Sequence, residues 1–417
     1  MLHRPKLILA LLTTLNLLNY LDRYVLSAVL GPLQEELRLS GLAAGLLSTV
    51  FLIGYFATSP VFGGLADRGR ADGSGVRKVL MAIGITVWSG ATIASGLATD
   101  ATSLLAARSI VGVGEASYAT LAPTLIDDLA PAAGAARWMA IFSAATPVGS
   151  ALGYIVGGAV TASNGWRSAF FVAGGPGFFL ALLCLLIKEP RRRRRPAHVD
   201  IAHAASSLLR VPLYRGAALG YCFYTFAIGG FAYWAPKYLH VRYALEAGRA
   251  SQLFGLVTVV GGAAGTVAGG WLADRFARKR LREQADARGT DEALARANML
   301  LCAIGTALGA PLAAAAIGAA TAPAFFAYAL PCQIALFAVS GPINVALLRS
   351  ASPGLRATAM AVAIFAIHAL GDLWSPPAIG LVADHAPMQT AMYAVPLVFC
   401  AAAFVWGRTT RASGWLT

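Results

Sequence analysis

The sequence predicts an all-α polytopic membrane protein of twelve transmembrane helices arranged as two six-helix repeats. Of its 417 residues 58% are hydrophobic and only 12% charged, and the mean hydropathy is +0.66, which is more apolar surface than a soluble core can bury. Apolar runs long enough to cross a hydrocarbon layer of about 30 Å begin near residues 7, 42, 79, 102, 137, 168, 213, 250, 297, 322, 357 and 389. The text GGLADR at residues 63 to 68 returns as GGWLADR at 269 to 275, half a chain later, each time closing an apolar run. The expected division is an N-terminal bundle over 1–188, an Arg-rich linker over 189–212 and a C-terminal bundle over 213–417.

The first run follows only Arg4 and Lys6, is too long for a signal h-region and lacks a small-residue cleavage site, so it is expected to persist as the first span. Within it, Asn19-Tyr20-Leu21-Asp22-Arg23-Tyr24 sets a carboxylate beside a guanidinium. An ionised group at that depth costs at least about 2.5 kcal/mol, so such residues face a protein interior or a water-filled path. In the fourth run, a rise of 1.5 Å per residue puts Arg108 about 9 Å and Glu115 about 20 Å from the outer end, with Asp22 about 12 Å from that end on the first run. Asp22, Arg23, Arg108 and Glu115 are therefore expected to form one network, with a fixed ion-pair lattice as the purely structural alternative. Glu115 is the better proton carrier of the two acids, since Asp22 has Arg23 covalently next to it. Arg23 or Arg108 could instead meet a substrate phosphate or carboxylate.

On the fifth run Gly149, Gly153 and Gly157 recur every fourth residue, and on the eighth Gly261, Gly265 and Gly269 do the same. Such stripes let backbones approach closely in lipid and are expected to be sliding contacts between the halves, with packing inside one half as the alternative. The seventh run offers Tyr221, Tyr224, Tyr233 and Trp234, either as the lining of an acyl-chain or headgroup pocket or as lipid-facing anchors. Asp67 and Asp274 fall at helix ends, where an Asp can cap a neighbouring helix N-terminus. The ADGSG insertion after Arg70 weakens any assignment of Arg77 and Lys78 to the same element. On the eleventh run His368 and Asp372 are four apart and share a face, giving a second candidate for proton exchange.

The formal charge of +14 is read as topology. Basic residues crowd the loops on one side, among them the run Arg191 to Arg195, so both termini are expected to be cytoplasmic; that run is read as orientation and solvation, with anionic membrane lipid headgroups as the additional partner it could hold, and nucleic acid is not invoked. No GxxxxGK[ST] loop occurs, which excludes an ATP-driven pump, and GVGEAS lies inside an apolar run with no strand before it. The five cysteines have no metal-ligand spacing, and no nucleophile has an evident His partner, so neither a metal, nor another cofactor besides the proton, nor an enzyme is expected.

The repeated GxLADR text, the Arg108 helix, the Gly/Pro-rich fifth run and the 6+6 layout together resemble the major facilitator superfamily. Within it, NYLDRYVLSAVL (19 to 30), RSIVGVGEASYATLAPTLIDDL (108 to 129) and HALGDLWSPPAIGLVAD (368 to 384) are similar to the Spinster-type lipid transporters. The resemblance implies a proton-coupled secondary transporter of amphiphilic lipids, lysophospholipid-like or sphingoid-phosphate-like, working by alternating access. It also implies a conformational gate at Asp67 and Arg68 and at Asp274 and Arg275. The short loops and high Ala/Gly content point to a bacterial inner-membrane protein, read as a monomer. A small organic anion symporter, a multidrug/proton antiporter and a nontransporting membrane sensor stand as the alternatives.

Overall fold

The computed structural model describes residues 4–68, 75–131, 135–190, 201–281, 287–352 and 355–411. Among them the regular structure is all helix, with no β-strand. The first six helices are α1 (Pro5–Glu36), α2 (Gly41–Arg68), α3 (Val76–Leu97), α4 (Ala101–Leu129), α5 (Ala135–Asn164) and α6 (Trp166–Leu185). A short helix, α7 (Ile201–Arg210), lies within the linker, whose Arg191–Arg195 run is outside the described residues. There follow α8 (Pro212–Tyr243), α9 (Ala247–Leu281), α10 (Ala287–Gly318), α11 (Ala322–Phe337), α12 (Ser340–Arg349), α13 (Arg356–Ile367), α14 (Ser375–Ala383), α15 (Met388–Met392) and α16 (Ala394–Arg411).

Nine spans among the described residues are long and apolar enough to cross a membrane. The expected twelve needs α1, α4 and α8 as well, which at 32, 29 and 32 residues have the length but carry more charged and polar side chains. Local chemistry sets several ends. Pro5 opens α1, where the missing N–H costs nothing. Asp100 caps α4 in a reciprocal box, its side chain accepting from the Ser103 amide at 2.9 Å. Thr321 accepts from the Ala324 amide at 3.4 Å to start α11. Gly75 and Gly165, with φ of 75° and 80°, supply the positive-φ residues ahead of α3 and α6.

Three helices depart from the apolar pattern. α10 starts about ten residues before its apolar run, because the segment around Asp291, Glu292 and Arg296 is helix-forming although polar. α9 continues through Asp274 to Leu281, so Asp274 lies inside the helix rather than at its end. The eleventh run divides into α13, a π-helical turn over His368–Asp372, and α14.

The chain forms two compact units: residues 1–196 with 235–256, and residues 197–234 with 257–417. In the first, α1 packs on α5 and α6, and α4 packs on α2 and α3. The glycine stripe of α5 faces α1: a Cβ at Gly149 or Gly153 would strike the Leu17 or Leu21 carbonyl, and one at Gly157 would press on Ala28. The last part of α8 and the first part of α9 belong to the same unit, with Ser251 Oγ donating to the Ala28 carbonyl at 2.9 Å and the Tyr154 and Phe254 rings 5.2 Å apart. In the second unit α10 packs on α11, α12 and α16, and the glycines of α9 face α11 at Gln333, Ile334, Phe337 and Ala338. Both stripes thus serve packing inside one unit. The expectation that Gly149, Gly153, Gly157, Gly261, Gly265 and Gly269 are sliding contacts is corrected accordingly: four-residue spacing fixes a face, and the face here is filled by a helix of the same unit.

Candidate functional site

The four ionised residues singled out on the first and fourth runs come together in the first unit. Successive residues on a helix point about 100° apart, so Asp22 and Arg23 leave α1 in different directions and pair with different groups. Arg23 Nε donates to Glu115 Oε2 at 2.7 Å. Arg108 Nη1 lies 3.6 Å from Asp22 Oδ1, and Thr92 on α3 donates its hydroxyl to Asp22 Oδ2 at 2.6 Å. The expectation that Arg23, as the covalent neighbour of Asp22, is that acid's cation is therefore corrected. Arg23 serves Glu115, while Asp22 belongs with Arg108, because side-chain direction and not chain adjacency decides the partner.

Asp22, Arg108 and Glu115 are buried, and Arg23 alone keeps partial exposure, 20% of its side chain. Arg23 sits in an aromatic box with Tyr20, Phe51 and Tyr55 rings at 5.1, 4.9 and 5.2 Å from its guanidinium carbon. Phe51 also meets Arg108 at 5.6 Å, so a single ring stands against both cations. That approach of α2 to α4 depends on Gly112, where a Cβ would collide with the Phe51 carbonyl. On the other side of α4, Gly84 and Gly114 face each other across the contact with α3, the helix that supplies Thr92. Asp22 Oδ1, Glu115 Oε1 and the Arg108 Nε and Nη1 groups make no hydrogen bond among the described residues. Each acid thus has one bonded and one open oxygen, and Arg108 has donors to spare, which is the equipment for taking up a proton or an anionic group.

Sequence reasoning missed Thr92, Phe51 and Tyr55. A Thr in an apolar helix ordinarily bonds back to its own turn, and aromatic residues in a span are commonplace, so nothing distinguished them. It also set Arg77 aside. The insertion before α3 ends at Gly75, and Arg77 in the first turn is buried, with Nη1 on Asp128 at 2.7 Å and Nε on Glu189 at 2.6 Å. This ion cluster ties α3 to α4 and to the segment after α6. In the second unit Asp291 on α10 similarly receives Arg349 at 2.5 Å and Arg356 at 2.6 Å.

His368 and Asp372 are adjacent in the π turn, with Nδ1 at 2.9 Å from Oδ2, and both side chains are part-exposed. The wide turn is seated by Gly371 against Thr225 and by Gly229 against Asp372. Of the aromatic residues on α8, Tyr224 donates to the Leu336 carbonyl at 2.8 Å and packs against Phe399 and Trp406, while Trp234 is fully buried and donates to the Pro376 carbonyl at 2.9 Å. Tyr233 is buried edge-on to Trp234. As pocket lining Tyr224 and Trp234 are corrected: their rings are held by partners within the second unit. Tyr221, half-buried beside Tyr224, keeps an exposed part. Asp67 and Arg68 close α2, and their side chains lie outside the described residues. Asp274 and Arg275 are exposed on α9, with Arg275 over Trp271 at 5.5 Å.

The family model described as Major Facilitator Superfamily matches residues 12–376. Protein spinster homolog 1 of Xenopus tropicalis is 34% identical, over 90% of this chain and 72% of that protein. The probable sphingolipid transporter spinster homolog 2 of Arabidopsis thaliana is 30% identical, over 91% of this chain and 81% of its own. The crystal structure of a bacterial homolog to the human lysosomal transporter Spinster, inward-facing and occupied, superposes with a TM-score of 0.83 at 21% identity, covering 98% of this chain and 97% of that one. A match over most of the sequence, at this identity and with this fold, makes the chain a transporter of the major facilitator superfamily, a multi-pass membrane protein belonging to the Spinster family.

Proposed function

We propose that this transporter couples proton movement to carriage of an amphiphilic lipid of the lysophospholipid or sphingoid-phosphate type. The observation that carries the reading is the Arg23–Glu115 pair: a fully buried acid bonded through one oxygen to the only member of the network with exposure. An incoming anionic headgroup can reach Arg23 and compete for it. A carboxylate left without its cation in an apolar interior is costly to keep charged and takes a proton instead. Binding of the lipid anion and protonation of Glu115 are then linked through a shared guanidinium. Asp22, held by both Arg108 and Thr92, stays paired through the exchange, and His368 with Asp372 is a second proton-exchange point. The relative named as a probable sphingolipid transporter supports the lipid class. In this reading the protein acts as a monomer in a bacterial inner membrane, with its basic loops and both termini in the cytoplasm.

The test is uptake of labelled lysophospholipid and sphingosine phosphate by proteoliposomes with and without an imposed pH gradient. Gradient-driven accumulation that a protonophore abolishes is the expected result. Accumulation of small organic anions but neither lipid would move the reading to the symporter alternative, and transport of neither class would favour a sensor.

A further inference from the structure

A cavity of about 590 Å³ opens between the start of α10 and the end of α16, both in the second unit, and none of its lining residues belongs to the charge network of the first. Glu292 and Arg296 stand on one side, Thr410 and Arg411 on the other, over a floor of Ala297 and Leu300. Arg296 is fixed in place: Nη2 donates to Glu292 at 2.7 Å and Nη1 to the Thr410 carbonyl at 3.1 Å. That single acid is already taken by Arg296. Arg411 is exposed and makes no hydrogen bond or ion pair among the described residues, so the mouth of the cavity carries an uncompensated positive charge.

The floor continues as apolar surface. Ala297, Leu300, Ile304 and Leu308 follow one another at spacings of three or four residues and so share one face of α10, on which Leu300, Ile304 and Leu308 are 37%, 44% and 57% exposed. On α16, Leu397, Phe404 and Arg411 recur every seven residues, again one face, with Leu397 and Phe404 at 70% and 65% exposure. A basic recess thus stands at the head of two apolar stripes that run into the membrane-spanning length of the same helices. An anionic head on a long apolar tail has this outline, whereas a free anion would leave the stripes unused.

We propose that the α10–α16 cavity binds the phosphate headgroup of an anionic membrane phospholipid, with Arg411 as the mobile contact, Arg296 as the fixed one and an acyl chain along the Leu300–Ile304–Leu308 stripe. The site is a resident-lipid site on the flank of the second unit, separate from carriage of substrate. Its position at a helix end rich in arginine matches the interfacial depth at which phosphates lie.

The full-length protein is incorporated in nanodiscs of mixed phosphatidylglycerol and phosphatidylcholine, released into detergent, and its retained lipid counted by native mass spectrometry. The parent should retain phosphatidylglycerol in preference to phosphatidylcholine. Arg411→Gln should lower that retention about fivefold, in line with roughly 1 kcal/mol per basic residue at a membrane surface, and Arg411→Gln with Arg296→Gln should lower it further. Arg215→Gln, which removes an exposed charge at the start of α8, should leave it unchanged. Equal loss in Arg215→Gln would mean that net charge alone holds the lipid, and displacement by inorganic phosphate at the same concentration as by soluble short-chain phosphatidylglycerol would mean a free-anion site. Either result, or unaltered retention in the double variant with parental melting temperature, overturns the proposal. A double variant that fails to fold leaves Ile304→Ala as the reading variant, since loss of chain contact must also reduce retention if the tail lies on the stripe.

Discussion

Two sites, one in each unit, hold their ionised groups in different ways. In the first, Asp22, Arg108 and Glu115 are buried, their partners come from other helices, and a shared aromatic ring separates two cation–acid pairs. In the second, His368 and Asp372 are neighbours four residues apart on one turn and remain part-exposed. A buried pair suffers the full cost of desolvation and stands only while both members are present, whereas a part-exposed pair can exchange its partner for water. The first arrangement couples helices to one another through charge. The second joins two neighbours on one turn and ties no separate helices together.

The largest effect follows from deleting one side of a buried pair. Arg108→Ala leaves Asp22 buried with Thr92 as its remaining partner and should cost about 3 to 5 kcal/mol, read as a large drop in melting temperature in detergent. The matching change in the second unit, Asp372→Asn, should cost less than about 1 kcal/mol while shifting the pH dependence of transport. Equal drops in melting temperature would erase the distinction between the two units.

Next in size is the close contact that positions Phe51. Gly112→Ala must push α2 from α4, an overpacking of about 1 to 3 kcal/mol, and should weaken the box around Arg23 and so lower transport as well as stability. Gly270→Ala, where no atom lies near the added Cβ, should be silent in both. A Gly112→Ala protein with parental melting temperature would show that the helices can part without loss.

The smallest effect concerns Glu36 at the end of α1, outside the apolar run. Hydrogen bonds from the Trp166 indole and from Arg167 hold its carboxyl below the ordinary glutamate value. A lowered folded-state pKa means stability that is present above the ordinary value and lost as pH falls through the folded one. Glu36→Gln should therefore be slightly less stable than the parent at neutral pH, with the difference in melting temperature closing on acidification. A difference that is constant with pH would exclude the ionised carboxylate as its source.

The fold and the membership of the charge network were legible in the sequence, since a twenty-residue apolar run announces a helix and an Asp, Arg or Glu inside one stands out by its cost. That Asp22 and Arg108 stand at similar height followed from the helical rise. What could not be read was direction around the axis. Height alone made Asp22 and Arg108 neighbours, correctly, but chain adjacency suggested that Arg23 serves Asp22 when it serves Glu115. The same blindness to direction turned two packing stripes of glycine into sliding surfaces and assigned Tyr224 and Trp234 to a pocket. Arg77 was discounted because an insertion precedes it, yet α3 starts after the insertion and holds Arg77 buried between Asp128 and Glu189. Thr92 shows the reverse case, a residue with no sequence signal whose role exists only because α3 is drawn against α4 by Gly84 and Gly114.

The central claim, that Glu115 exchanges a proton when Arg23 is drawn away, is tested most directly by Glu115→Gln in proteoliposomes. Gln keeps the size and a hydrogen-bond acceptor for Arg23 but has no charge to change. Gradient-driven accumulation of lipid should fall to the level seen without a gradient, while lipid binding and exchange of internal for external lipid continue. Accumulation by Glu115→Gln with the parental pH dependence would contradict the account and move coupling to Asp22 or to His368 and Asp372.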